Sequence, residues 1–410
     1  MQELQGAIPA IRKGDAEQSD GTSSPSSCAK RAQALIIDRR AVMATEMCRA
    51  LARNNFAVSV VGDAASPAFY SRYCSRNIVV PRGELKEIYP KLIEQVLAAQ
   101  QYDAIFICNE EILEALLAHV ELLESPGFVL SSKDTLRKAL SKRAMLELAG
   151  SIGIATPRTI APTQLPELIA AGEELGFPLV VKGDRGEAGG HVRLVEDPSR
   201  LVASYREIAS LENSGEFGPV LQEFVRGWAY SVGGLYYRGK PLRVCAHRKV
   251  IGVPPLGGLT VRGETENQPG LLEAAFRVFD ALNYTGLGHI EFIRDIEQRF
   301  QFLEINPRSW GTIGVGAVAG VDFFTPYAQL AAGVIPAPDL RFKEGVKFHR
   351  LNREGKLLRK NPRRLFGLIF DCCNPAIRSD FSWSDPLPHF GTLGHRALQK
   401  LIPASKPAGV

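Results

Sequence analysis

From residue 33 onward the chain alternates two kinds of apolar pattern. Short unbroken apolar runs, Gln33–Asp38, Ala57–Asp63 and Tyr102–Cys108, are bounded by polar residues and read as buried strands. Between them apolar residues recur at helical spacing over Val42–Arg53 and Leu85–Ala99, with a further short strand at Asn77–Val80. Strands alternating with helices predict a mostly parallel, doubly wound sheet. Ligands in such sheets bind beyond the carboxyl ends of strands. There the chain places Asp38-Arg39-Arg40, Asp63 and Asn109-Glu110-Glu111, either as substrate contacts or as helix caps. The first of these turns has no Gly-x-Gly-x-x-Gly, so the cradle for a dinucleotide pyrophosphate is missing and a nicotinamide-linked dehydrogenase is not expected.

Past residue 130 the pattern changes. A short strand, Phe128–Ser132, precedes a helix that starts at Asp134 and carries Lys138, Lys142 and Arg143. The strand Pro178–Lys182 ends in a lysine and opens the loop Gly183–His191, with four glycines in eight residues, before the strand Val192–Val195. Such a loop can approach phosphates closely, because glycine adds no side chain and free amides carry partial positive charge; many such loops are only turns. Strands follow at Val220–Val225 and Ala229–Leu235, then the cation triple His247-Arg248-Lys249 and a helix near Gly270–Leu282.

Next comes a hairpin, Gly288–Arg294 and Phe302–Asn306, with a polar turn at Asp295–Arg299. A turn centred near 296–297 sets Glu291 roughly opposite Phe302, with Glu304 as diagonal neighbour. Residues two apart on a strand share a face, so Glu291, Glu304 and Asn306 are expected to point the same way. Two carboxylates and an amide oxygen suit Mg²⁺; a polar, solvent-facing strand is the other reading. An apolar helix, Phe323–Ala332, follows.

Composition narrows the class. The chain has 410 residues, 45% of them hydrophobic and 23% charged, enough for two or three ordinary globular domains. Seven scattered cysteines without Cys-x-x-Cys argue against a disulfide framework or zinc site and for a reducing, cytoplasmic setting. Residues 1–30, rich in Ser, Gly, Gln and Asp, read as a disordered tail. The net charge of +5 is concentrated: ten Lys/Arg face only Glu344 and Glu354 between Arg341 and Phe366. That block suits weak contact with an anionic membrane surface, or is a solvated segment. No nucleic-acid motif accompanies it.

The order of features, a lysine-bearing helix, strand-Lys182, the Gly-rich loop, Gln222-Glu223-Phe224-Val225, a basic strand, Glu291 and then Glu304-Ile305-Asn306-Pro307-Arg308, resembles the ATP-grasp superfamily. The continuation Ser309-Trp310-Gly311-Thr312 and the later Trp383–Pro388 resemble its ATP-dependent carboligases, which are similar to carbamoyl-phosphate synthase and amino-acid ligases. The resemblance covers residues 33–390. It implies an α/β pre-ATP-grasp (Rossmann-like) domain at 31–130, an α+β ATP-grasp domain of two subdomains at 131–335, and a C-terminal basic segment and tail at 336–410.

By position it implies that Lys142 and Lys182 contact nucleotide phosphates and that Gly186, Gly189 and Gly190 cover them. Glu223 and Val225 would meet the adenine edge. Glu291, Glu304 and Asn306 would hold Mg²⁺ (or Mn²⁺), Arg308 would steady an acyl phosphate, and Arg248 or Lys249 would offset phosphoryl charge. His289, on the face of Glu291, is expected in a supporting catalytic role. The family's ribose-binding acid is replaced by Ala229. The implied reaction is ATP-dependent carboxylate–amine ligation through an acyl phosphate, releasing ADP and phosphate, with an amino acid as one substrate and a homodimer as the expected assembly. Bicarbonate as acid, a non-amine nucleophile, or a non-catalytic nucleotide-binding scaffold docking through 341–366 are the alternatives.

Overall fold

The first elements follow the apolar runs closely: β1 (Ala32–Ile37), α1 (Val42–Arg53), β2 (Phe56–Gly62), β3 (Cys74–Val79), α2 (Leu85–Ala99), β4 (Ala104–Ile107), α3 (Glu110–Leu116) and α4 (Val120–Leu123). The computed structural model describes residues 31–39, 42–186, 190–211, 218–253, 258–374 and 376–391. The expected tail 1–30, Arg40, and the tip of the loop 254–258 lie outside them. The four strands form one sheet in the order β3-β2-β1-β4, parallel throughout. Such pairing buries both faces, which is why β1, β2 and β4 read as unbroken apolar runs rather than alternating ones.

The helix expected from Asp134 is two, α5 (Lys133–Leu140) and α6 (Lys142–Ser151). Ser141 breaks them: its backbone is extended and its hydroxyl accepts from the Ala144 amide, so it caps α6. The stretch Phe128–Ser132 forms only an isolated bridge, Leu130 to Gly286. A second sheet follows, built from β5 (Thr159–Ile160), β6 (Leu179–Lys182), β7 (Val192–Val195) and β8 (Val220–Glu223), in the order β5-β8-β6-β7 and antiparallel. The helices α7 (Leu165–Leu175) and α8 (Leu201–Leu211) pack on it.

The third sheet is the largest. It contains β9 (Gly227–Tyr237), β10 (Lys240–Val253), β11 (Leu259–Thr265), then, after α9 (Pro269–Ala281), β12 (Gly286–Asp295) and β13 (Phe300–Asn306). Two short helices, α10 (Ile313–Val318) and α11 (Phe324–Ala331), lead to β14 (Lys347–His349), α12 (Leu351–Lys360), α13 (Arg364–Cys373) and β15 (Ile377–Ser379). The strand order is β13-β12-β9-β10-β11-β14-β15. Residues 336–391 are therefore not a separate basic appendage: β14 pairs with β11 and extends the central sheet. Their arginines are partly spent inside the fold. Arg350 is buried against Glu46, and Arg364 reaches the buried Glu354.

Packing joins these sheets unequally. One buried cluster runs from Leu35, Ile105 and Leu113 of the first sheet layer through Phe279 to Val232, Ile290 and Phe302 of the central sheet. Another joins Ile36, Val58 and Phe106 to Leu235, Trp310 and Phe323. The β5–β8 sheet has its own small cluster, confined to residues between Leu168 and Leu221.

Candidate active site

The β12–β13 hairpin carries the acids. Glu291 pairs directly with Glu304, and His289 with Asn306. Continuing the row of Glu291 across the sheet places Ser231 of β9, His247 of β10 and Thr265 of β11 in line with it. The expected pairing of Glu291 with Phe302 is corrected: Phe302 pairs with Phe292, and Leu303 is left over as a bulge. The reason is that the two neighbours serve different faces. Phe302 packs its ring 6.0 Å from that of Phe292 in the core, whereas Glu304 has to stand beside Glu291. Residues two apart on a plain strand would share a face; one extra residue separates them.

The β5–β8 sheet supplies Lys182, and α6 supplies Lys142. Lys182 ends β6, where scarcity of water pushes its amine down to about 8, against the upward pull of Glu304 and Glu291 and with help from nearby Lys142. A lysine so placed holds its proton less firmly than an exposed one, and arriving negative charge strengthens that hold. Lys142, buried at the start of α6, donates to the Gly186 carbonyl at 2.9 Å. The neck of the glycine loop is closed by the Gly183 amide on the His191 carbonyl, 2.9 Å. Gly186 has φ of 100°, and a Cβ there would meet the His191 ring, so glycine is required. Gly190 accepts from Arg193 at 3.0 Å, and Gly189 lies outside the described residues. Asp184, not singled out by sequence, anchors this loop: its carboxylate accepts from Ser141 Oγ (3.0 Å) and the Arg143 amide (2.9 Å).

Of the two cations expected beside the phosphoryl group, only Lys249 is near the acids. It is buried, donates to the Gly258 carbonyl at 2.7 Å and lies 3.6 Å from Glu291 Oε2. Arg248, its neighbour on the strand, points to the opposite face, held by Glu266 and lying over the Trp228 ring at 5.3 Å. Strand alternation separates the two, and the expectation for Arg248 is corrected accordingly. Arg308 is buried, donating to Asn306 Oδ1 at 2.9 Å and lying 3.4 Å from Glu110 Oε1. Glu110 thereby joins the first sheet to the hairpin. Of the other strand-end residues, Arg39 is engaged by Glu111 at 2.8 Å.

His289 stacks on Trp310, with ring centroids 5.8 Å apart and planes 13° from parallel, and its Nδ1 lies 3.4 Å from Asn306 Nδ2. Burial, then Arg308 and Lys249, depress its pKa to about 3, so the ring is neutral at neutral pH. Burial and His289 push His247 well below the ordinary range too. Trp310 can sit there because Gly233 of β9 has no side chain: a Cβ would run into the indole. The Glu223 carboxylate accepts from both the Arg158 amide (2.9 Å) and guanidinium (2.8 Å), while its expected adenine contact is through backbone groups; Val225 follows β8, half-buried. His247 belongs to the cation triple singled out by sequence; Ser231 was missed, although a lone serine inside the apolar run Ala229–Leu235 was the available signal.

The donor set fits a hard cation only in part. Among the described residues no group of three or more His, Cys, Asp or Glu gathers as a metal cluster. Two adjacent carboxylates with an amide oxygen nearby are what Mg²⁺ needs when phosphate and water complete its shell. Asn306 Oδ1 already accepts from Arg308, and its remaining lone pair is what a cation would use.

Residues 218–354 match the family described as "ATP-grasp in the biosynthetic pathway with Ter operon". Biotin carboxylase 1 of Bacillus subtilis (strain 168) is 26% identical over 255 residues, 58% of this chain and 53% of that protein. D-alanine–D-alanine ligase of Pseudomonas entomophila (strain L48) is 25% identical over 201 residues, 45% of this chain and 60% of that one. The chain thus spans about half the length of the curated relatives it matches. Among solved structures, biotin carboxylase from Campylobacter jejuni superposes with a TM-score of 0.63 at 18% identity, over 77% of this chain and 74% of that one, a likeness of fold. The stretch matched by the family model runs from β8 to α12 and holds both acids, Asn306, Arg308 and Lys249: the chain carries a domain of the ATP-grasp family.

Proposed function

We propose that this protein is an ATP-dependent carboxylate–amine ligase that works through an acyl phosphate. The observation that carries the reading is the Glu291–Glu304 pair on the central sheet, electrostatically coupled to Lys182 at the end of β6. A carboxylate resists nucleophiles because its charge repels them and oxide does not leave. Transfer of the γ-phosphoryl of ATP turns the oxide into phosphate, which leaves readily, and that transfer depends on positioning and charge neutralisation. Glu291, Glu304 and Asn306 would hold Mg²⁺, which when bound neutralises phosphate oxygens. Lys182 and Lys142 would take the nucleotide phosphates, and Lys249, poised beside Glu291, would offset charge on the transferred group. Arg308 would hold the acyl phosphate while an amine attacks its carbonyl, giving an amide and phosphate. The 183–190 loop would exclude the water that otherwise destroys the intermediate.

An amino acid is the expected partner on one side of the bond, supported by the similarity to D-alanine–D-alanine ligase. Bicarbonate as the phosphorylated acid is the second reading, favoured by the similarity to biotin carboxylases. Phosphorus NMR of Mg-ATP with the protein and pools of amino acids, small carboxylates (bicarbonate included) and amines tests the class. Substrate-dependent ADP and phosphate is the expected result. AMP and pyrophosphate would sink the acyl-phosphate mechanism, and substrate-independent equal rates in wild type and Glu304→Gln would return the protein to a scaffold role.

A further inference from the structure

The helix α13 is built inside out. Its inward contacts include two ion pairs, Asp371 2.9 Å from Arg262 and Arg364 3.1 Å from Glu354, and Asp371 also lies 3.2 Å from His349 Nδ1. Its outward side carries Leu365, Phe366, Ile369 and Phe370, spaced i, i+1, i+4 and i+5, which a helix gathers on one face. Phe366 is 78% exposed and Phe370 67%. An amphipathic helix in a globular protein ordinarily does the reverse, apolar inward and charged outward.

This is not the general character of the surface. Among the described residues before 336, ten large hydrophobics are exposed, scattered between Val79 and Ile335. Seven more fall within Leu365–Phe390 alone. They include Trp383, 88% exposed, which with Phe390 surrounds the Phe381 ring at 4.9 and 6.3 Å. A concentration of this kind marks an interaction surface.

Charge decides the partner. The sequence leading into this face, Lys356-Leu357-Leu358-Arg359-Lys360-Asn361-Pro362-Arg363-Arg364, holds five cations and no acid. Arg364 is paired inward, while Arg363 is exposed at the entry to α13. Exposed aromatic and aliphatic side chains on a helix that does not span, following a run of Lys and Arg in the sequence and entered at the exposed Arg363, match an anionic lipid surface: the rings would enter the headgroup boundary and the cations meet the lipid charge. A second copy of this chain would bring like charge against like. We propose that the α13 face docks the protein reversibly on anionic membranes.

Flotation of the full-length protein with vesicles tests this. Vesicles of phosphatidylcholine with about a third phosphatidylglycerol should carry the protein up the gradient, and pure phosphatidylcholine should not. Binding should weaken as salt rises from low to high ionic strength, because the lipid charge is screened. Phe366→Ser with Phe370→Ser should lower vesicle binding by roughly tenfold or more, while nucleotide binding stays unchanged and shows that the fold survives. Arg363→Gln should lower it by a few-fold. Trp383 emission should shift to the blue on the anionic vesicles and the shift should vanish in Trp383→Phe. Absence of binding to both vesicle types overturns the proposal. So does lipid-independent dimerisation that the double serine variant abolishes, since the face would then serve a second copy.

Discussion

The two sheets that meet across the candidate site are stabilised in different ways. The central sheet shares its buried clusters with the first sheet, so the strand bearing Glu291 is fixed by packing that reaches Leu35 and Leu113. The β5–β8 sheet closes a small cluster of its own, and Lys182 ends one of its strands. The acids and Lys249 thus stand on the large, continuous core, as does α6 with Lys142, while Lys182 stands on the small, separate one. For the ligase proposed above, this division would let the acids keep their geometry while Lys182 opens and closes with its own sheet.

The comparison is sharpened most by Glu304→Gln. It removes charge without volume, and turnover should fall by about 10²–10³-fold in a coupled ADP assay while the melting temperature holds. A turnover loss accompanied by a large fall in melting temperature would show that the acids also support the sheet. Phe302→Ala should cost about 3–5 kcal/mol of global stability in a denaturant titration, because its ring is fully buried in the shared cluster. Lys182 predicts a pH profile. Its amine lies near 8 in the free protein against an ordinary 10.5, so below about pH 8 it is already charged. Above that, nucleotide phosphates must first recruit a proton, and the Mg-ATP dissociation constant should rise by up to about tenfold per pH unit toward pH 10. Lys182→Arg, charged throughout, should flatten that slope when measured by calorimetry. The smallest effect is expected from Val181→Ala in the separate cluster, roughly 2 kcal/mol. Hydrogen exchange should then speed within residues 160–223 and not in β12; uniform acceleration would mean that the two cores are one cooperative unit.

The apolar runs of the first sheet were legible because parallel strands buried on both faces leave no alternation to misread, and Val42–Arg53 and Leu85–Ala99 fall where their periodicity ends. The carboxylate pair was legible as to face, since Glu291, Glu304 and Asn306 do share one, but not as to register. The turn suggested a partner for Glu291 that the Leu303 bulge displaces, and bulges leave no residue signature at this site. The choice between Arg248 and Lys249 was beyond reach for a related reason: adjacent residues of one charge differ only in which face the strand gives them. The C-terminal segment was legible from composition only in part. Its charge is real, yet Arg350 and Arg364 are consumed by Glu46 and Glu354, partners that sequence distance hides.

The bulge also bears on how this hairpin can be inherited. On the turn side of it the paired residue numbers sum to 594, as for Phe292 with Phe302, and on the site side to 595, as for Glu291 with Glu304. Loss of the single codon for Leu303 would bring the two halves into one regular ladder and still leave Phe302 facing the core and Glu304 facing its partner acid. Loss of the codon for Ile305 would turn Asn306 and everything after it to the other side. A gene can therefore lengthen or shorten the distance between these two acids by one residue at that position without surrendering the pair, and descendants that keep the pair need not keep the spacing.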